Sequence, residues 1–381
     1  MAVCMQPARR LGRMIGNKRI FVCCVFLTLA AVVYFVVKQP HGYPMYSGRI
    51  LQMSGKGLDL QDTRQLFTLN PPDTNHSRSW EDEQVHRRKL ISDTCRAAKK
   101  RSKDIYPRLE YDFSKVHSER WLKFLLVVDS LKMVYCYVPK VGTTSWKRLL
   151  LVLEGRVNST EELGQKKTHN LTVSFMRNLN SYTPEEAKWV LTNYKKFLFV
   201  RNPFERILSA YQDKFQNDYP ASKIFRTVWS EMIIRYSGGD LSEARQRRQD
   251  GTLNVTFPQF ARFVADSNSL VSGGRVYNQR NEHWMEAYRV CHPCAIDYDW
   301  VGHYDSMHTD ADRILRAVGV DTAVRFPNFT TNPTGSSSYD TLRRYYSQLS
   351  TEEIVAIYRN YILDFTMFGF DIPEPIKAIL G

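Results

Sequence analysis

The sequence has only one long apolar run, few cysteines and fewer acidic than basic residues, and each scarcity narrows the class of protein. A single apolar run excludes a multi-pass membrane protein, and no internal repeat is visible. With 39 Asp and Glu against 53 Lys and Arg, the net charge is +14, which indicates anionic partners. A hydrophobic content of 43% with 13% aromatic residues excludes a mainly disordered chain. The 381 residues fit one catalytic-size domain with appendages.

The apolar run covers residues 20–37 and contains no charged residue. As a helix it would be roughly 27 Å long, close to the thickness of a bilayer core. The alternative is a cleaved signal peptide, but the run exceeds a typical signal core and no clear A-x-A cleavage site follows. Residues 1–19 contain five basic residues and no acidic one: Arg9, Arg10, Arg13, Lys18 and Arg19. The positive-inside rule therefore predicts a cytoplasmic tail at 1–19, a signal-anchor helix at 20–37 and a lumenal remainder.

Two features beyond the run agree with a secretory lumen. Five N-x-S/T sequons are present, at Asn75, Asn158, Asn170, Asn254 and Asn328. Four cysteines follow the run, at positions 95, 136, 291 and 294. This even number predicts two disulfides, with three connectivities open. The alternative is that Cys291 and Cys294 form half a zinc site, but no second C-x-x-C or H-x-x-x-H pattern exists, so no metal is expected.

Residues 38–94 are expected to form a lumenal stem and residues 95–381 the folded domain. Within that domain, residues 133–138 and 196–200 are short apolar runs that predict buried strands. Each is followed by a turn and a helical pattern, at 143–154 and after Asn202, which can cap its helix with Pro203 in the first position. Two such units predict an α/β fold with a central parallel sheet flanked by helices.

The first strand–helix turn has the composition of a phosphate cradle. It consists of Pro139, Lys140, Val141, Gly142, Thr143, Thr144 and Ser145. Glycine lets the backbone approach a ligand, hydroxyls and amides lie at a helix N-terminus, and the lysine adds a positive charge. The G-x-x-x-x-G-K-[ST] spacing of nucleotide triphosphatases is absent. The plainer alternative is an ordinary capped helix after a strand.

The second turn offers another anion site, between an arginine at the strand end and a serine two turns into the helix. It consists of Arg201, Asn202, Pro203, Phe204, Glu205, Arg206, Ile207, Leu208 and Ser209. Arg206 is expected to bind as well, with pairing to Glu205 or a surface position as alternatives. Since ligands of parallel sheets bind where strand ends meet helix starts, two adjacent anion sites suit a nucleotide phosphorylated on its 3′ and 5′ sides.

Four blocks carry a family resemblance: CYVPKVGTTSWKRLLLVLEGR, KFLFVRNPFERILSAYQDKF, NEHWMEAYRVCHPCAIDYDWVG and YILDFTMFGF. Together they resemble the Golgi carbohydrate sulfotransferases that include the chondroitin and dermatan 4-O-sulfotransferases, from about residue 95 to 373. The resemblance implies a P-loop-like sulfotransferase fold and 3′-phosphoadenosine 5′-phosphosulfate as donor. One departure is that the family usually has Cys and Asn where this chain has Thr143 and Ser145.

The resemblance also implies roles for single residues. Lys140 would stabilise the leaving phosphate, and Arg201 with Ser209 would hold the 3′-phosphate. The base that takes the acceptor proton would be His169, which precedes the Asn170 sequon, or His283, with Glu282 as a possible orienting group. No metal is required by this scheme.

The implied acceptor is a glycan, with the 4-hydroxyl of N-acetylgalactosamine in chondroitin or dermatan preferred. The 3-hydroxyl of glucuronic acid and terminal N-acetylgalactosamine stay open. Five arginines would meet glycosaminoglycan anions or form a solvated face: Arg245, Arg247, Arg248, Arg275 and Arg280. Two rival functions remain. Asp297 with Asp299, or Asp310 with Asp312, fits the D-x-D string of a Golgi glycosyltransferase, and a disabled donor site would leave a glycan-binding membrane protein.

Overall fold

The structure is a computed structural model that describes residues 78–100, 109, 111–113, 120–161, 163–246, 252–265, 281–320, 324–327 and 334–381. The predicted tail, signal-anchor helix and most of the predicted stem lie outside these residues, as do the sequons at Asn75 and Asn328. No helix among the described residues has the length and apolar character needed to cross a bilayer.

A five-stranded sheet forms the centre of the fold. Its strands are β1 (Leu125–Val128), β2 (Met133–Cys136), β3 (Arg177–Asn178), β4 (Lys195–Val200) and β5 (Trp300–His303). They lie in the order β3-β1-β2-β4-β5, with β2, β4 and β5 parallel. β1 runs antiparallel to β2 and β3, so the prediction of a central parallel sheet is corrected to a mixed one. Only a short 3₁₀ turn, Asp129–Leu131, and Lys132 join β1 to β2, which is too short for a parallel crossover.

Helices surround this sheet. They are α1 (Trp80–Lys100), α2 (Thr143–Leu153), α3 (Gln165–Phe175), α4 (Pro184–Asn193), α5 (Pro203–Tyr211), α6 (Ser230–Tyr236), α7 (Leu241–Gln246), α8 (Phe257–Ala265), α9 (Ala287–Cys291), α10 (Met307–Ala317), α11 (Tyr339–Tyr346), α12 (Thr351–Asn360), α13 (Ile362–Phe368) and α14 (Glu374–Leu380). Short 3₁₀ helices cover Arg120–Phe124, Leu179–Ser181 and Pro220–Ser222, and π-helical segments cover Gln212–Gln216 and Phe225–Trp229.

Both predicted strand–turn–helix units are confirmed. β2 leads into α2 and β4 leads into α5, and the two strands are parallel neighbours. Their adjoining turns therefore lie at the same edge of the sheet. α2 carries Trp146 into the core, where its ring centroid lies 4.9 Å from that of Phe197 and 5.2 Å from that of Phe199. This aromatic packing fixes the position of the first turn relative to β4.

The folded part begins earlier than residue 95. α1 starts at Trp80, and Gln84 Nε2 donates a hydrogen bond of 3.2 Å to the carbonyl of Val301 in β5. Arg87, also buried, forms a 2.8 Å ion pair with Asp310 in α10. Residues from Trp80 onward therefore pack on the sheet instead of forming a stem.

The two predicted disulfides are present and take one of the three open connectivities. Cys95 is bonded to Cys294, and Cys136 at the end of β2 is bonded to Cys291 in α9. Because both members of the C-x-x-C pair are bonded to distant cysteines, neither is available as a zinc thiolate. The second disulfide ties α9 to the strand that precedes the first turn.

Candidate active site

The first turn exposes a helix N-terminus at the end of β2. Gly142 is the N-cap of α2 with φ of 65°, and no side chain caps this helix. A Cβ at Gly142 would lie 2.9 Å from Met307 Cε, so both the backbone angle and the space require glycine. Thr143 Oγ1 donates to the carbonyl of Val138 at 2.7 Å and closes the turn. The first amides of α2 therefore remain available for an anion.

Lys140 lies in the same turn with φ of 73° and adds a positive charge to it. Its Nζ lies 3.2 Å from Asp213 Oδ2, and Lys214 Nζ lies 3.0 Å from the same oxygen. Burial lowers the pKa of Lys140 to about 8, although the Asp213 carboxylate opposes this shift. Burial raises the pKa of Asp213, but Lys140 and Lys214 outweigh it and hold that pKa below its usual value. Two lysines thus share one carboxylate, which leaves net positive charge beside the turn.

Asp213 and Lys214 were missed by the sequence reasoning. They lie in the π-helical segment Gln212–Gln216, which continues α5, and both are buried. A π-turn inserts an extra residue and so changes which side chains face inward, a feature often found at functional sites. The available signal was a charged pair between the apolar residues Tyr211 and Phe215.

At the second turn, Arg201 is buried and makes four hydrogen bonds to protein groups. Its Nε lies 3.1 Å from Glu205 Oε2, and its Nη1 donates to the carbonyl of Lys140 at 3.3 Å. Its Nη2 donates to Ser336 Oγ at 2.9 Å and Ser337 Oγ at 2.6 Å. The bond to Lys140 joins the two predicted turns directly.

Hydroxyl groups connect Arg201 to Ser209. Thr334 Oγ1 donates to Ser209 Oγ at 3.2 Å and lies 2.9 Å from Ser336 Oγ. Sequence reasoning missed this turn because it lies more than 120 residues away along the chain, and its only signal was the run of small residues at 334–338. The structure thus brings Arg201 and Ser209 into one polar cluster.

Asn202 and Pro203 occupy the predicted positions in the second turn. Asn202 is the N-cap of α5, its side chain accepts from the amide of Phe204 at 3.1 Å, and Pro203 opens the helix. The side chains of Phe204, Ile207 and Leu208 are fully buried in the core, as is that of Val141 in the first turn. These four side chains are therefore not free to contact a ligand.

The two alternatives for Arg206, a surface position and pairing with Glu205, are both wrong. Arg206 is 2% exposed and donates to the carbonyls of Pro139 (2.9 Å), Glu282 (2.9 Å) and Met285. It is therefore neither on the surface nor paired with Glu205. Its guanidinium joins the first turn to residues 282–285, which precede α9.

The two candidate bases share one neighbouring cation, Lys214. Burial first, then the charges of Lys147, Lys214 and Arg148, lowers the pKa of His169 in α3 to about 4. Burial first, then Lys214 and Lys140, lowers the pKa of His283 well below its usual value. Both imidazoles are thus neutral at neutral pH and able to accept a proton.

Glu282 makes no hydrogen bond to His283 Nδ1. That nitrogen is buried and has no hydrogen-bond partner among the described residues. Glu282 instead uses its backbone carbonyl to accept from Arg206. The ring of His283 packs edge-on against Phe225, with centroids 5.5 Å apart.

Aspartates of the D-x-D strings, which a glycosyltransferase would use, form ion pairs with lysine and arginine side chains. Asp299 lies 2.8 Å from Lys195 Nζ and 3.3 Å from Lys196 Nζ. Asp310 pairs with Arg87, and Asp312 with Arg325. In the described part of the chain, no cluster of three or more His, Cys, Asp or Glu side chains is placed to hold a metal. Of the five arginines proposed for glycan binding, Arg245 lies exposed on α7 and the others lie outside the described residues.

Comparisons with known proteins agree with this geometry. The Sulfotransferase family matches residues 123–371. Carbohydrate sulfotransferase 11 of Rattus norvegicus is 33% identical over 291 residues, covering 76% of this chain and 77% of the relative. Carbohydrate sulfotransferase 14 of Danio rerio is 35% identical over 270 residues, covering 70% and 68%. Carbohydrate sulfotransferase 10 of Xenopus laevis is 27% identical over 366 residues, covering 93% and 96%. No solved structure matches.

Proposed function

Because this chain belongs to the sulfotransferase family, we propose that it transfers a sulfuryl group from 3′-phosphoadenosine 5′-phosphosulfate to a glycan hydroxyl. One observation carries the proposal. Two turns rich in cations and hydroxyls follow neighbouring parallel strands, and Arg201 Nη1 donates to the carbonyl of Lys140 to join them. A nucleotide with anionic groups at both ends is the ligand that suits such a pair.

We assign the 5′-phosphosulfate to the first turn and the 3′-phosphate to the second. The uncapped N-terminus of α2 and the ammonium of Lys140 would bind the first group. Arg201, Ser209 and the hydroxyls of Ser336 and Ser337 would bind the second. Arg206 positions the first turn and does not contact the donor.

In the proposed reaction, the acceptor oxygen forms a bond to sulfur while the bond from sulfur to the 5′-phosphate oxygen breaks. The hydroxyl proton passes to a histidine, and 3′-phosphoadenosine 5′-phosphate leaves. Lys140, protonated in the main at neutral pH because its pKa is about 8, stabilises the leaving phosphate. This scheme needs no oxidant and no further co-reactant.

His169 is our first choice as base and His283 our second. Burial, together with nearby cations, lowers the pKa of His169 to about 4, so the imidazole stays unprotonated before the donor arrives. The phosphates of the donor would offset Lys214 and raise that pKa toward the range in which histidine is an effective base.

The 4-hydroxyl of N-acetylgalactosamine in chondroitin or dermatan is the acceptor we favour. This choice rests on the third and fourth sequence blocks. These blocks also pack together, because the Asp364 carboxylate accepts from the amides of Ala287 (2.7 Å) and Tyr288 (2.9 Å). Glucuronic acid and terminal N-acetylgalactosamine are the alternatives.

We further propose that the protein is a single-pass type II protein of the Golgi membrane, anchored through residues 20–37 with its catalytic domain in the lumen. The two disulfides support an oxidising compartment. The five sequons are in keeping with that location and predict a glycoprotein.

The acceptor is tested with the full-length chain in detergent and radiolabelled donor. Desulfated chondroitin, dermatan and a glucuronyl-terminated glycan are offered separately, and the products are digested to disaccharides. Label at the 4-position of N-acetylgalactosamine is expected. Label only on the glucuronyl-terminated glycan, or no label on any glycan with normal nucleotide binding, would contradict the acceptor. Failure to bind the donor would contradict the enzyme proposal.

A further inference from the structure

Lys147 is a buried lysine that the reaction described above does not use. It lies in the second turn of α2 and is only 7% exposed. Among the described residues no carboxylate pairs with it. Its Nζ lies over the ring of Tyr137, 3.9 Å from the ring centroid. A buried ammonium without a counter-ion is costly, so the site favours an anion that restores the balance of charge.

The position of Lys147 along the edge of the sheet indicates which ligand approaches it. Tyr137 follows β2, and its hydroxyl donates to the carbonyl of Lys123 at 3.0 Å, just before β1. Its ring packs edge-on against Phe124 with centroids 5.2 Å apart. Since β1 and β4 flank β2 on opposite sides, Lys147 with Tyr137 lies on the β1 side of the first turn and Arg201 on the β4 side.

The orientation of the bound donor then indicates on which side of the first turn the acceptor lies. If the 3′-phosphate is held at Arg201, the nucleotide extends from the first turn toward β4. In-line transfer requires the acceptor oxygen to approach sulfur opposite the leaving phosphate. The acceptor therefore enters from the β1 side, where Lys147, Tyr137 and His169 are found.

The electrostatic surroundings agree with this placement. After burial, Lys147 is the first contributor to the lowered pKa of His169, Lys214 contributes to that of both histidines, and Lys140 contributes to that of His283 alone. Lys147 thus lies beside the first-choice base, and Lys140 lies with the Asp213 carboxylate and the donor-side cations.

We infer, resting on the proposed function, that Lys147 over the Tyr137 ring is an acceptor subsite that binds the carboxylate of a uronic acid next to the accepting sugar. Chondroitin and dermatan carry one such carboxylate per disaccharide. The compact ammonium binds it as a point charge, and the ring keeps the ammonium in place.

The test combines a variant of the protein with a chemical variant of the acceptor. Kinetics of the full-length chain are measured with desulfated chondroitin and with the same polymer after reduction of its carboxylates to alcohols. For the wild type, reduction is expected to lower kcat/KM about 10- to 100-fold through the acceptor KM. Lys147→Met should show a similar loss on chondroitin, almost no further loss on the reduced polymer, and an unchanged donor KM.

Two controls keep the result interpretable. Lys147→Arg should retain most of the discrimination between the polymers. Lys195→Met should retain all of it, because Lys195 begins β4 and so lies at the opposite end of the strands from the two turns. Binding of 3′-phosphoadenosine 5′-phosphate by calorimetry verifies the fold of each variant. If Lys147→Met fails to fold, Lys147→Arg decides alone. Equal losses of activity by Lys147→Arg on the two polymers, with a raised donor KM, would contradict the inference.

The outcomes separate this inference from the proposed function. Equal losses by Lys147→Met on both polymers, with a raised donor KM, would assign Lys147 to the sulfuryl or phosphate group and overturn the subsite. A wild type that sulfates both polymers equally well would overturn the subsite alone. A wild type that binds the nucleotide but sulfates neither polymer would refute the proposed acceptor, and the subsite with it.

Discussion

Replacing Asp213 by asparagine removes the carboxylate that lies between Lys140 and Lys214 and keeps the size of the side chain. Both ion pairs are short, at 3.2 and 3.0 Å, and the Asp213 side chain is only 5% exposed. Water therefore screens the lost interaction poorly. In the wild type, burial lowers the pKa of Lys140 to about 8, and Asp213 prevents a larger fall. The variant should lower that pKa further.

The magnitude follows from the usual effect of a contacting opposite charge, about one to three pKa units, which would bring the pKa of Lys140 from about 8 to roughly 6.5. At pH 7.5 the protonated fraction would then fall from about three quarters to about one tenth. Since the reaction needs Lys140 protonated, activity is lost as the pH rises through its pKa. The alkaline limb of kcat/KM should therefore move down by about one to two pH units in the variant.

The assay is the pH profile of kcat/KM for sulfate transfer between pH 5.5 and 9.5, since this parameter reports the free enzyme. Asp299→Asn is the matched control, because Asp299 also pairs with two lysines but at the start of β4, away from the site. Its profile should equal that of the wild type. An unchanged alkaline limb in Asp213→Asn, with normal nucleotide binding, would refute the role given to Lys140.

Three further predictions concern the base, the donor and the fold. His169→Ala should lower kcat by about 10²- to 10⁴-fold with normal nucleotide binding, whereas the same loss in His283→Ala alone would transfer the role to that residue. Arg201→Ala should raise the donor KM about 10- to 100-fold and leave the acceptor KM unchanged, and an unchanged donor KM would contradict its assignment. Replacing Cys136 and Cys291 together by alanine should destabilise the fold by about 2–5 kcal/mol, seen as a lower Tm, and an unaltered Tm would contradict the contribution of that disulfide.

The strand–turn–helix units could be predicted from the sequence because their signals are local. Buried apolar strands, Gly142 at a left-handed position and the Asn202-Pro203 cap each act over a few residues. The edge of the sheet was harder to predict. β3 has only two residues, and the antiparallel pairing of β1 with β2 and β3 depends on contacts across the sheet.

The missed parts of the site depend on long-range contacts or altered helix geometry. Ser336 and Ser337 reach Arg201 across 135 and 136 residues. Asp213 faces Lys140 by way of a π-helical segment, which no simple periodicity predicts. The attachment of α1 through Arg87 likewise depends on Asp310, 223 residues further along the chain.

The central claim is that the paired turns hold a nucleotide phosphorylated on both its 3′ and 5′ sides. Calorimetry of the full-length chain with 3′-phosphoadenosine 5′-phosphate and with adenosine 5′-phosphate tests it directly. We predict that loss of the 3′-phosphate weakens binding about 10- to 100-fold, and that Arg201→Ala abolishes this difference. Equal affinity of the wild type for the two nucleotides would contradict the account.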